Sequence, residues 1–362
     1  MSATASGGSM AVEMRYRDDL GTLSNPNEHT ASASLAGVPR DRARSMLRSM
    51  ILIRLCEERI ADGVASGEIR CPCHLAIGQE AVAVGVAEHL RATDKCFGAH
   101  RSHAHFLALG GAIEQMLAEI HGKDTGCSRG MGGSMHLRDE RIGLIGTVPI
   151  VGATIPMAVG AGLALKMDGG DGVAVAFFGD CATEEGVFHE SMNLAASLPS
   201  PTIFVCEHNL FSSHLHISLR QPSSRIARYA EAHCMPHGTV DGNDLCEVLR
   251  ASQEAIAHAR VSRQPYFLEF VTYRWRGHVG HREDIDVGVR RKDDLHLWKR
   301  RDPIRRCADA LAAAGSLSAG ELDLMTVEVR AQIETAWEFA LRSPYPVGAA
   351  LMSRVYAGGG AK

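Results

Sequence analysis

The chain reads as an α/β protein: a mostly parallel sheet with helices on both faces, plus helical N- and C-terminal extensions. Three short apolar runs point there, at residues 172–178 (GVAVAFF), 202–206 (TIFVC) and 265–273 (PYFLEFVTY). They are continuous rather than alternating, as in strands covered on both faces. Segments of helical pattern separate them, and parallel strands need such crossovers.

The elements follow in order. Residues 1–40 are rich in Ser, Ala, Gly, Thr and Asn without an apolar period, which predicts a mobile arm. Met46, Leu47, Met50, Ile53 and Ile60 recur near the 3.6-residue period, so 41–65 reads as a helix. A second helix starts around Gln79 (EAVAVGVAEHL) and a third covers about 112–121. From 122 to 152 the chain is glycine-rich and irregular, which suits a binding loop. The uncharged stretch 142–165 contains Pro149, Pro156 and several glycines, and reads as a buried loop and a buried helix rather than a membrane span. Helices are expected at 185–197, about 245–259, and through most of 302–340. Residues 290–306 hold eight Lys/Arg against three Asp, the pattern of a solvated face. The organisation expected is an arm at 1–40, an α/β domain at 41–300, a C-terminal helical extension at 301–345 and a tail at 346–362.

Composition narrows the function. With 362 residues, 45% hydrophobic and 22% charged, the chain has the make-up of a globular domain with a large core. A net charge of −4 lacks the basic footprint of a nucleic-acid binder. The start, MSATASGGSM, has neither the basic nor the apolar region of a secretory signal. The ten cysteines then read as reduced thiols in a cytoplasmic protein with no membrane partner. The 37 glycines, roughly a tenth of the chain, suggest tight turns or close approach to a ligand.

The chemistry concentrates at two strand ends. Gly179-Asp180-Cys181 closes one apolar run, and Glu207-His208-Asn209 closes the next. Asp180 and Asn209 are 29 residues apart, one strand–helix–strand unit, which brings both to the carboxyl edge where open α/β sheets bind ligands. A carboxylate and an amide oxygen are hard ligands suited to magnesium on a diphosphate. The helix expected from near Glu184 would aim its N–H groups at the same edge. Two other patterns carry less. Cys71-Pro72-Cys73-His74 lacks the spacing and second ligand pair of a zinc site. The run Gly130-Met131-Gly132-Gly133 is not followed by the Gly-Lys-Ser/Thr of a P-loop.

The segment GDCATEEGVFHESMNLAASLPSPTIFVCEHN resembles the thiamine-diphosphate motif, Gly-Asp-Gly followed by Asn-Asn. With it stand HLAIGQE (74–80), HRSH (100–103), GCSRGMGGSMHL (126–137), IVGATIP (150–156), VDGND (240–244) and TYRWRGH (272–278). Together they resemble the alpha subunit of the first component of 2-oxo-acid dehydrogenase complexes, of which acetoin dehydrogenase is a close relative, over about residues 41–340.

The resemblance implies a thiamine-diphosphate-binding fold and, as cofactors, thiamine diphosphate and magnesium. Asp180, the Asn209 side chain and the Phe211 carbonyl would hold the metal. His100, Arg101 and the N–H groups of Cys181 and Ala182 would meet the diphosphate, and Val151 the aminopyrimidine region. His103 and His278 would face the diphosphate and the reacting carbon as catalytic residues. The resemblance also implies a beta subunit in an α2β2 heterotetramer, which supplies the activating glutamate, so this chain alone would be inactive. The substrate would be a pyruvate-like 2-oxo acid, with a lipoyl acyltransferase component receiving the acyl group. Acetoin cleavage, a biosynthetic carboligase and a non-catalytic structural subunit stay open. The sequence departs from the pattern at Cys181 (third motif glycine), His208 (first asparagine), Pro149 (usually glycine) and Val279 (a phosphorylatable serine in mitochondrial relatives).

Overall fold

The computed structural model describes residues 16–35, 37–285 and 291–354. Residues 1–15 of the expected arm, 286–290 of the charged loop and 355–362 of the tail lie outside the described residues.

The chain opens with the long helix α1 (Arg40–Ala65), followed by α2 (Glu80–Ala87), β1 (Lys95–Gly98), α3 (His103–Ala108), α4 (Ile113–Ile120), β2 (Leu144–Thr147) and α5 (Thr154–Met167). The centre is β3 (Ala174–Gly179), α6 (Gly186–Ser197) and β4 (Thr202–His208). A small antiparallel hairpin, β5 (Phe211–Ser212) and β6 (Leu215–His216), precedes α7 (Arg228–Ala232), β7 (His237–Asp241), α8 (Leu245–Ser262) and β8 (Tyr266–Val271). The chain ends in α9 (Arg291–Trp298), α10 (Pro303–Ala313), α11 (Ala319–Arg342) and α12 (Ala350–Ser353).

Six strands form one sheet in the order β2-β1-β3-β4-β8-β7, and every pairing is parallel. All three runs read as strands are strands, and β4 and β8 are buried along their whole length. One apolar cluster packs β3, β4 and β8 against α1, α2 and α8; a second packs the same strands against α5 and α6. That sandwich explains why the strands carry no polar alternation.

The helices end where local chemistry stops them. Asp244 caps α8 by accepting from Cys246 N (2.9 Å) and Glu247 N (3.2 Å). Ser318 and Glu321 form a reciprocal capping box at the start of α11. Asp302 caps α10, whose first residue is Pro303.

Three expectations need correcting. The part of residues 16–35 expected to be a mobile arm lies against the body. Arg17 N donates to Pro222 O at 2.9 Å, Leu20 is buried, and Arg306 Nε reaches Ala31 O at 2.7 Å. The charged stretch 290–306 is not simply solvated, because Arg291, Arg301 and Arg306 are buried. Arg301 and Arg306 each meet Asp241 at 2.7 Å, and Arg306 also meets Asp244 at 2.9 Å. Buried guanidinium groups persist only when paired, and here they bolt α10 to the end of β7. The stretch 142–165 begins with β2, and α5 leaves Met157 and Met167 exposed. The helix expected at 185–197 is present as α6 from Gly186, preceded by a 3-10 turn at Asp180–Glu184. Short β1, β2 and α3 had no distinct apolar signal.

Candidate active site

A concavity lies at the carboxyl ends of β1, β3 and β4, where the chain reverses its direction of growth across the sheet. It encloses about 980 Å3, including its open side. His100, Arg101, Val151, Asp180, Cys181, Ala182, Asn209, Phe211 and His278 all line it. These are residues the sequence nominated, brought together from positions up to 178 apart in the chain.

Close packing of the separate blocks builds this pocket. Gly78 has φ +96, and a Cβ there would stand 2.4 Å from Trp275 Cδ1 and 2.6 Å from Tyr273 O. A glycine is therefore required where HLAIGQE crosses TYRWRGH. Trp275 N donates to Ile77 O (2.7 Å), Gly280 N to Cys73 O (2.8 Å), and Asn243 Nδ2 to Gly78 O (2.9 Å). Three blocks are thus stitched into one wall, and His74 is set beside His278.

Asp180 opens the turn after β3 and is buried. Its Oδ1 has no hydrogen-bond partner, and its other oxygen pairs with the Arg220 guanidinium, which also pairs with Glu184. Asn209 follows β4. Its Oδ1 accepts from Phe211 N at 3.3 Å, and its Nδ2 donates to Gln79 Oε1 at 3.4 Å. Leu210 between them has φ +71, an unusual value for a side-chain-bearing residue, and this bends the chain so that Phe211 returns to the pocket. Cys181 sits in a 3-10 turn, where the residue needs no positive φ. Burial pushes its thiol pKa up, which makes it a poor nucleophile at neutral pH.

Arg101 is buried and donates to Leu75 O (2.5 Å) and His278 O (3.2 Å). Burial pulls its pKa down to about 10, so it remains a cation at neutral pH. His278 N donates to Asp284 at 2.7 Å. Burial, together with Arg101 and Arg274, pushes the His278 ring down to about 4, so the imidazole is neutral.

His103 is the exception among the nominated residues. It does not line the pocket. It is fully buried, with Nδ1 3.2 Å from Glu57 Oε1 and Nε2 2.8 Å from Ser134 Oγ. Glu57 Oε1 also accepts from Ala76 N at 3.0 Å. His103 therefore ties the loop carrying His74 to the loop carrying Met135, and both of those residues do line the pocket. Its place is behind the wall, not at a reacting atom.

The glycine-rich loop is held by one carboxylate. Glu119, buried on α4, accepts from the N–H groups of Ser128 (2.8 Å), Gly130 (2.9 Å), Gly132 (2.7 Å) and Gly133 (3.1 Å). These amides are spent inside the protein, so this loop is a scaffold for the pocket and not itself a phosphate cradle.

Sequence reasoning missed His74, Gln79, Glu207 and Arg220. The first three lie inside quoted blocks, which was the available signal; Arg220 lies in none. Among the described residues no helix is long and apolar enough to cross a membrane. All ten cysteines are free thiols.

Comparison with known proteins agrees with this geometry. The profile of the family described as "Dehydrogenase E1 component" matches residues 48–347. The chain belongs to that family. It is 37% identical over 318 residues to the alpha subunit of acetoin:2,6-dichlorophenolindophenol oxidoreductase from Bacillus subtilis, covering 87% of this chain and 94% of that one. It is 33% identical to the alpha subunit of the pyruvate dehydrogenase E1 component of Rhizobium meliloti, covering 87% and 90% respectively. The human mitochondrial somatic form of that subunit is 33% identical over 308 residues, covering 85% of this chain and 77% of its own. As a member of the E1 family, the chain is an alpha-type subunit, and this confirms the family expectation drawn from the seven blocks.

Proposed function

We propose that this chain is the alpha subunit of a thiamine-diphosphate- and magnesium-dependent dehydrogenase that decarboxylates a pyruvate-like 2-oxo acid. On this reading it works in an α2β2 assembly with its beta subunit, in the cytoplasm, and passes the acyl group to a lipoyl carrier. The carrying observation is the orphaned Oδ1 of buried Asp180, facing the same pocket as Asn209 and Phe211. A buried carboxylate oxygen without a partner is costly unless a cation completes it.

The residues fit the group. Asp180, the Asn209 amide oxygen and the Phe211 carbonyl form an all-oxygen set of the kind magnesium prefers. Arg101 places a buried positive charge at the pocket, and Cys181 and Ala182 offer backbone N–H groups at the start of the turn, both suited to a diphosphate. Val151 gives an apolar wall, and Pro149 gives a wall without a donor. Neutral His278 offers the pocket one N–H donor and one acceptor nitrogen without adding charge. His103 is assigned a positioning role. Thiamine diphosphate, when bound, supplies the electron sink for decarboxylation.

Calorimetric titration of thiamine diphosphate into the co-purified alpha–beta assembly, with and without magnesium, tests this. Magnesium-dependent binding that Asp180→Ala abolishes is expected. Equal binding without magnesium, or in the variant, would refute the site. Acetoin cleavage is the second reading, favoured by the 37% identity to the Bacillus subtilis subunit over nearly its full length. Dye-coupled turnover of pyruvate against acetoin separates the two.

A further inference from the structure

The pocket contains one cluster that the cofactor reading does not use as a unit. His74, His100 and His278 come from three separate chain segments. Their rings stand edge to face, with centroids 4.5, 5.0 and 5.6 Å apart. One ring nitrogen from each lies within 4.8 Å of the other two. His74 is buried, and its Nδ1 has no hydrogen-bond partner; the other two rings are half-buried. The supporting backbone is fixed. Arg101 bonds the carbonyls of Leu75 and His278, and Gly280 N bonds Cys73 O.

We propose that His74, His100 and His278 form a three-histidine site for a single divalent ion of the zinc class, separate from the oxygen site at Asp180. Three imidazoles with an open fourth position make a common zinc donor set. Zinc–nitrogen bonds of about 2.0–2.1 Å in a tetrahedron need nitrogens about 3.3 Å apart, so the rings must close by roughly 1.5 Å at most from their present spacing. Half-exposed rings can make that adjustment by rotation. Burial and the neighbouring charges keep all three rings deprotonated, with His74 pushed down to about 2, His100 to about 3 and His278 to about 4. The ligand form is therefore already present at neutral pH.

Charge works partly against the ion. Arg101 and Arg274 face the rings. Arg274 is paired within 4.0 Å of Asp284, whereas Arg101 donates to two neutral carbonyls, with Glu57 and Glu207 as its neighbouring carboxylates. Binding is therefore expected to be weaker than at a dedicated catalytic zinc centre. Magnesium, which prefers oxygen and near-octahedral geometry, is not expected to compete for these nitrogens. An ion held here fills space in the pocket that substrate would need, so zinc should inhibit turnover.

The test uses the alpha–beta assembly at saturating magnesium. Zinc is titrated calorimetrically, and cobalt(II) is titrated as a spectroscopic probe. The expected result is one equivalent per alpha chain and the intense visible absorption of a tetrahedral nitrogen-rich site, without thiolate charge transfer. His100→Tyr and His278→Gln should each weaken binding by at least about tenfold, with circular dichroism checking that each variant folds. Asp180→Ala and the double change Cys71→Ser, Cys73→Ser should leave zinc binding in place. Unchanged binding in both histidine variants overturns the proposal. So does loss in Asp180→Ala or in the cysteine variant, or an octahedral or thiolate-bearing cobalt spectrum. Thiamine diphosphate binding, read separately in the same samples, keeps failure of this site distinct from failure of the cofactor site.

Discussion

Glu119→Ala should release the glycine-rich loop. The carboxylate is buried and accepts four backbone N–H groups, from Ser128, Gly130, Gly132 and Gly133, at 2.7 to 3.1 Å. Hydrogen bonds to a charged group contribute about 1.5–3 kcal/mol each when intact. The opened amides regain water, so the net loss is about 1 kcal/mol apiece, or about 4 kcal/mol in all. At 1.4 kcal/mol per tenfold, that is roughly a thousandfold shift in the loop-opening equilibrium. Amide hydrogen exchange on the alpha–beta assembly reads it directly, as lost protection at residues 128, 130, 132 and 133. Glu119→Gln keeps the volume but turns its NH2 toward two of the four donors. It should lie between, at about 2 kcal/mol or roughly thirtyfold. Protection in Glu119→Ala within about threefold of the parent would refute the assignment, because a merely decorative carboxylate would give that result.

Other outcomes follow from the same contacts. Arg220→Gln removes the cation paired with Asp180, so magnesium should bind about tenfold more tightly in a calorimetric titration; unchanged or weaker binding would count against the pairing as a competitor. Arg301→Met leaves Asp241 with Arg306 as its remaining paired cation and frees the Leu23 carbonyl. It should cost about 3 kcal/mol in urea unfolding, and a cost under about 1 kcal/mol would show the pair to be idle. In a chelated sample, stability should fall as pH drops below about 6.5. The unfolded histidines then take up protons that the folded trio, at about 2, 3 and 4, refuses. A urea midpoint flat between pH 7 and 5 would contradict the neutral-ring assignment.

Much of this protein was legible because its signals are local. Continuous apolar runs announced β3, β4 and β8, and the 3.6-residue period announced α1. Asp180 and Asn209 declared themselves by their place at two strand ends one crossover apart, and nine of the ten nominated site residues line the pocket. His103 misled because its block matched while its side chain turned inward to Glu57 and Ser134. A motif specifies which residue type stands at a position, not which way it faces.

What the sequence determined by itself is the period of each long element, the family, and the chemistry gathered at the strand ends, since each is carried by residues near one another in the chain. Tertiary structure alone decided the rest. It buried Arg301 and Arg306 in a stretch that reads as solvent-facing, because their partners Asp241 and Asp244 lie some 60 residues earlier. It paired Arg220 with Asp180 across 40 positions. It also assembled three histidines from 74, 100 and 278 into one cluster, a juxtaposition with no spacing signature because parallel-sheet crossovers, not local geometry, bring those loops to the same edge.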